Sequence, residues 1–296
     1  MPQNREEHAG FRSEGDINLS PRRSEWQARE LDAATVNLLQ QDARYFLHQS
    51  LSTPCLNVLQ ACEGIFVEDL QGRRYMDFHG NNVHQVGFSN PSVLAAIKAQ
   101  LDDLSFCTRR YTNHVAVDLA RKLAELAPRN LNKVLLCPGG TSAVGMALKL
   151  ARLATGRYKT ISMWDSFHGA SLDSISIGGE AIFRQGIGPL LPGTEHVPPP
   201  DEYRCLWGGE DCSRCDLRCA SYVEYVLKKE GDVSAVVAEP VRSTPHIPPP
   251  AYWQVVRAAC DRHGALLIFD EIPHALGRTG RMFTCENFGV TPDILV

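Results

Sequence analysis

Near its end the chain carries an uninterrupted apolar run, Ala265-Leu266-Leu267-Ile268-Phe269, closed by two carboxylates, Asp270 and Glu271. Such a run has no polar position to offer to water. It therefore reads as a strand buried on both faces, the habit of parallel sheets covered by helices. Open α/β sheets bind their ligands just beyond the carboxyl ends of these strands. Asp270 then has two readings: it meets a ligand, or it caps a following helix or pairs with an arginine.

The surrounding pattern supports the sheet. From Lys133 onward apolar strands and amphipathic helices alternate: strand Val134–Cys137, helix Ser142–Leu153, strand Lys159–Met163, helix Ala220–Lys229, strand Ser234–Ala238, helix Tyr252–Arg262, then the closing run. Alternation of this kind builds right-handed βαβ units and a mostly parallel sheet, an α/β fold. The stretch 178–219, rich in Pro, Gly and Cys, reads as an irregular surface cover near the site. Residues 1–34 are polar and read as a flexible arm. Residues 35–90 read as a helix (Thr35–His48), a β-hairpin turning at Gln71-Gly72, and a loop of Gly, Asn and His. Residues 91–296 read as one large α/β domain, opening with helices from Pro91 to Leu104 and from Val115 to Leu126.

Composition excludes several function classes. Among 296 residues, 44% are hydrophobic and 22% charged, ordinary for a globular chain, and the net charge of -4 gives no basic field. Nucleic acid and anionic membrane are therefore not expected as partners. No apolar run approaches the roughly 20 residues of a membrane span, and the first thirty residues lack a signal core, so the cytoplasm is expected. There the ten cysteines read as free thiols or metal ligands, not a disulfide framework.

Four strand ends deliver chemistry-bearing groups. Cys137-Pro138-Gly139-Gly140-Thr141-Ser142 joins a strand to a helix, where glycines allow close approach and free N–H groups attract an anion; a plain helix cap is the alternative. Trp164-Asp165-Ser166-Phe167-His168-Gly169 offers an aromatic face for a ring, or else a core Phe with a structural His. Glu239 follows a third strand, with Arg242 near enough to pair with it on the surface. Gly277-Arg278-Thr279-Gly280 follows the acidic pair, as a site turn or a solvated loop. Four such ends on one sheet edge favour an active site over four coincidences.

The order of these segments resembles the class III aminotransferases, pyridoxal-phosphate enzymes of fold type I, from about Phe46 to Val296. The matching motifs are Tyr75-Met76-Asp77-Phe78, the Gly140-Thr141 turn, Phe167-His168-Gly169, Glu239-Pro240, Asp270-Glu271-Ile272 and Pro292-Asp293-Ile294-Leu295. The resemblance implies a large cofactor domain with pyridoxal 5'-phosphate held by Gly140, Thr141, Phe167, His168, Glu239 and Asp270. Asp270 would keep the pyridine nitrogen protonated, so that the ring accepts electrons. Phe167 would stack on the ring. A homodimer is also implied.

Departures accompany the likeness. Ser142 stands where the family often has Glu, and Pro273-His274-Ala275 replaces a common Gln-Thr-Gly. His274 is then a substitute donor or a loop residue. The family's Schiff-base lysine falls a few residues after the position of Leu295. The chain as given is therefore expected to be inactive, either as a truncated copy or as a non-catalytic binding protein. Cys205, Cys212, Cys215 and Cys219 have the number, in one loop, for a tetrahedral zinc site.

Three stretches resemble a subgroup of ammonia-lyases that degrade 1-hydroxy-2-aminoethylphosphonate to phosphonoacetaldehyde: Phe46–Pro54, Asp77–Gln85 and Arg109–Asn113. A small amine, in particular an aminophosphonate, is the implied substrate. Its dianion calls for guanidinium and amide donors. The candidates are Arg109, Arg110, Arg242, Asn81, Asn82 and His84, though one or two of these arginines would serve equally well in surface ion pairs. An ω-aminotransferase using a keto acid is the alternative.

Overall fold

The computed structural model describes residues 20–47, 55–80, 83–108, 110–208, 215–242 and 246–296. The chain divides into two compact units, one within 14–113 and one within 114–296.

In the first unit, helices α1 (Pro21–Glu30) and α2 (Ala33–Tyr45) precede a three-stranded antiparallel sheet of β1 (Leu59–Glu63), β2 (Phe66–Asp69) and β3 (Arg74–Met76). The stretch read as a polar arm thus contains α1, which starts on Pro21, where a missing N–H costs nothing. Asp32 caps α2 by accepting from the Thr35 N–H at 2.8 Å. The hairpin turns at Gln71-Gly72 as expected, with Gly72 at φ 77°. Its third strand, β1, was not foreseen. Asp69 is the hub of the sheet: it accepts from the N–H groups of Gln71 and Arg73, the Arg73 guanidinium, the Tyr75 hydroxyl and the Asn57 amide. Burial alone would raise its pKa, but these donors hold it far below the usual carboxylate range. Helix α3 (Pro91–Leu104), capped by Asn90, completes this unit.

The second unit is the α/β domain. Helices α4 (His114–Leu126), α5 (Gly140–Thr155), α6 (Leu172–Ile177), α7 (Ala181–Arg184), α8 (Arg218–Glu230) and α9 (Pro250–His263) alternate with β4 (Lys159–Met163), β5 (Thr194–Val197), β6 (Val233–Ala238), β7 (Leu266–Phe269) and β8 (Ile294–Leu295). The five strands form one parallel sheet in the order β5-β4-β6-β7-β8. Side chains of successive strand residues alternate between faces. Ala235, Val237 and Ile268 therefore pack with Val144, Leu148 and Ala151 of α5. Val236, Ala238, Leu267 and Phe269 pack with Val223 and Leu227 of α8 and Trp253 and Val256 of α9 on the other face. This two-sided burial is why β6 and β7 carry no polar alternation.

Two expectations fail here. Val134–Cys137 is no buried strand: it pairs with no strand among the described residues, and Leu135 and Leu136 are 68% and 57% exposed. An apolar run becomes a strand only where neighbours accept its backbone groups. Conversely, the supposedly irregular stretch 178–219 contains β5, a short Thr-Glu-His-Val strand that, among the described residues, pairs with β4 alone.

Candidate active site

The chain reverses its direction of progress across the sheet between β4 and β6. β5 lies outside β4 on one side, and β7 and β8 follow β6 on the other. Loops leaving the carboxyl ends of β4 and β6 diverge there and open a crevice, the place where such sheets bind ligands. The groups singled out in the sequence meet at this edge.

Asp270 leaves β7 buried, at 2% exposure, and its Oδ2 lies 2.8 Å from Nδ1 of His168, which leaves the end of β4 and is equally buried. Burial by itself would lower the imidazole pKa. The hydrogen bond and charge of Asp270 outweigh that and raise it, so the ring tends to hold its proton against the carboxylate. The other ring nitrogen, Nε2, is buried with no hydrogen-bond partner among the described residues. The adjacent carboxylate, Glu271, has a different task. It accepts from the N–H groups of Thr284 and Cys285 at 2.6 and 2.7 Å and caps the 3-10 turn Thr284–Phe288.

Phe167 stands 37% exposed at the edge, backed by the ring of Phe183 with centroids 4.5 Å apart. Its N–H donates to Oε2 of Glu239 across the crevice at 3.3 Å. Glu239 is largely buried, and burial first, then the charge of Asp270, push its pKa up to about 7. Arg242 is not a surface residue. It is 8% exposed and bonded through Nη2 to Oε2 of Glu180 at 2.7 Å, while its Nε lies 4.0 Å from Glu239.

The Gly139-Gly140-Thr141 turn starts α5 with no side-chain cap, leaving the first N–H groups of a 16-residue helix free of intrahelical partners. Gly140 packs close to Ile272: a Cβ there would lie 2.5 Å from Ile272 Cδ1, so that side chain would have to move aside. Thr141 adds its hydroxyl, which accepts from the Ala170 N–H at 3.4 Å. The donor set fits pyridoxal phosphate: free N–H groups and a hydroxyl for a phosphate, an aromatic face for a ring, and a buried carboxylate for a ring nitrogen.

The remaining candidates are placed as follows. His274 is buried in the turn after Asp270, its N–H bonded to the Glu271 carbonyl. His84 and Arg110 are exposed in the first unit, with the His84 ring against Phe88. Arg109, Asn81, Asn82 and Cys212 lie outside the described residues. Cys205, Cys215 and Cys219 line a cavity of about 350 Å³ with Trp207 and Asp216. Burial pushes the Cys219 thiol up to about 11. Among the described residues no three His, Cys, Asp or Glu side chains stand in reach of one metal ion; the fourth cysteine of the zinc reading, Cys212, lies outside them. The sequence reading missed Glu180 and Phe183, which come from the stretch read as irregular cover. The lone acid after Gly178-Gly179 was the one signal for the first.

Residues 48–296 match the aminotransferase class-III family. The chain is 48% identical to an (R)-1-hydroxy-2-aminoethylphosphonate ammonia-lyase of Vibrio splendidus, over 96% of this chain and 62% of that protein. It is 37% identical to an acetylornithine aminotransferase of Methanopyrus kandleri, over 79% of this chain and 56% of that one. Among solved structures, an (S)-enantioselective ω-transaminase of Thermomicrobium roseum superposes with a TM-score of 0.82 at 29% identity, covering 90% of this chain and 63% of that one. An amine transaminase of an uncultivated Pseudomonas species in its PLP-bound form gives 0.77 at 33% identity, covering 85% and 61%. The chain thus spans about three-fifths of the length of these relatives.

Proposed function

The chain belongs to the aminotransferase class-III family, and on that premise we propose that the whole protein is a pyridoxal-phosphate-dependent ammonia-lyase acting on 1-hydroxy-2-aminoethylphosphonate. The observation that supports the cofactor is the buried Asp270–His168 pair, which joins the ends of β7 and β4 at the same sheet edge as Phe167 and Glu239. What supports the substrate is the 48% identity to the Vibrio enzyme along nearly the whole of this chain.

When bound, pyridoxal phosphate supplies an electron sink that makes the C–H beside the substrate amine acidic. The protein's share is orientation and charge. The free N–H groups of Gly140 and Thr141 and the Thr141 hydroxyl would take the phosphate. Phe167, braced by Phe183, would fix the ring plane. Asp270, itself fixed by His168, would hold a proton on the ring nitrogen. The net reaction releases ammonia and phosphonoacetaldehyde: the amine carbon loses a proton, the neighbouring carbon loses its hydroxyl, and the water so formed returns as the aldehyde oxygen. No keto acid is consumed.

For the phosphonate we keep as candidates Arg109, Arg110, Arg242, Asn81, Asn82 and His84. The whole protein is proposed to work as a cytoplasmic homodimer. Among the described residues, no helix is long and apolar enough to cross a membrane.

The test is ammonia release by the whole protein, with cofactor and substrate but no keto acid. Sustained release over many turnovers is expected. Amino transfer only after pyruvate is added would make the protein an ω-aminotransferase instead.

A further inference from the structure

Three charged side chains lie in a row behind the candidate site: Glu180, Arg242 and Glu239. None is more than 8% exposed. Glu180 arrives on the turn between α6 and α7, and that turn is docked on the end of β4 by main-chain contacts. The N–H groups of Gly179 and Glu180 both donate to the Ser166 carbonyl, at 2.9 and 3.2 Å. A Cβ on Gly179 would stand 2.1 Å from the Met163 carbonyl oxygen, so no side chain fits at this approach. His196 of β5 holds the same turn through the Ile177 and Gly178 carbonyls.

Two carboxylates therefore compete for one guanidinium, and the distances decide between them. Glu180 has a charge-assisted hydrogen bond at 2.7 Å, whereas Glu239 faces Nε at 4.0 Å without one. We infer that Glu180 is a positioning residue, which holds the Arg242 guanidinium off Glu239 and so leaves Glu239 as the acid of the site that exchanges a proton. The groups facing Glu239 agree with this. From the β7 end comes the carboxylate of Asp270, which disfavours a second negative charge. From the β4 end come His168, already engaged by Asp270, and the Phe167 N–H; Arg242 comes from its own loop. The backbone of His246 anchors that loop by accepting from the Arg242 N–H at 3.1 Å.

The competition for Arg242 is a property of the protein alone. Its use in turnover rests on the proposed reaction, where the departing hydroxyl needs a proton at neutral pH, a task for an acid tuned to that range.

The test is a carboxyl infrared titration of the cofactor-free protein, with the Glu239 band assigned by its loss in Glu239→Gln. In the wild type the midpoint lies at about 7. In Glu180→Gln the guanidinium turns to Glu239 and the midpoint falls by about one to three pH units. Glu180→Asp, which keeps the charge, restores it. Arg242→Gln, which removes the contested cation, raises the midpoint above the wild-type value and serves if Glu180→Gln does not fold. An unchanged midpoint in Glu180→Gln or Arg242→Gln, or an ordinary carboxylate midpoint in the wild type, overturns the inference. A protein with these midpoints but no ammonia release would refute the proposed reaction alone. Ammonia release with unchanged midpoints would refute only the inference.

Discussion

Two apolar stretches that look alike in the sequence end in opposite surroundings. Leu266–Phe269 is bonded by β6 on one edge and β8 on the other and covered by helices on both faces. Val134–Cys137 has no strand beside it among the described residues and keeps its leucines in water. The difference shows that an apolar run supplies the driving force for burial but not the partners that satisfy its backbone. A strand needs both.

The sharpest way to break this contrast is Leu267→Asp. The side chain is fully buried, and an unpaired charge at that point costs more than about 4 kcal/mol. We expect loss of the cooperative urea transition; a retained transition would mean that β7 is not the centre of the fold. Glu271→Ala comes next. It strands two buried N–H groups, those of Thr284 and Cys285, and should cost about 2–3 kcal/mol in the same measurement.

Glu239 contributes a pH-dependent term. Its carboxyl keeps its proton up to about 7 in the fold, against an ordinary value of 4.5. A group whose folded pKa is raised contributes stability that is full below the unfolded value and is lost as pH rises through the folded one. Glu239→Gln should therefore match the wild type below pH 4.5. At about pH 8 it should exceed it by about 3 kcal/mol. Equal stability at both pH values would contradict the buried acid. The smallest effect is reserved for the exposed stretch. Leu136→Ser in the 296-residue chain should change stability by no more than about 0.5 kcal/mol. A larger loss would show that Val134–Cys137 is packed after all.

Much of the α/β domain was legible because its signals are local. Helix α9 ends at Gly264 in a left-handed conformation, α5 begins at a Gly-Gly turn, β7 is an unbroken apolar run and β6 is one but for Ser234. β5 was hidden because a polar strand of four residues carries no periodicity; only its pairing with β4 defines it. The meeting of Phe167, Glu239 and Asp270 could be anticipated from where their strands end. The partner of Arg242 could not: Glu180 lies 62 residues earlier in the chain and reaches the arginine only because Gly179 lets its turn sit against β4. Charge pairing over such separations is a product of topology, which local pattern does not encode.

The central claim is that Asp270, fixed by His168, holds a proton on a bound pyridine ring. Its most direct test is the 15N chemical shift of ring-labelled pyridoxal phosphate bound to the whole protein, in the wild type and in Asp270→Ala. The account predicts a protonated ring nitrogen in the wild type, lost in the variant. A deprotonated nitrogen in the wild type, or a shift that ignores the substitution, would contradict it.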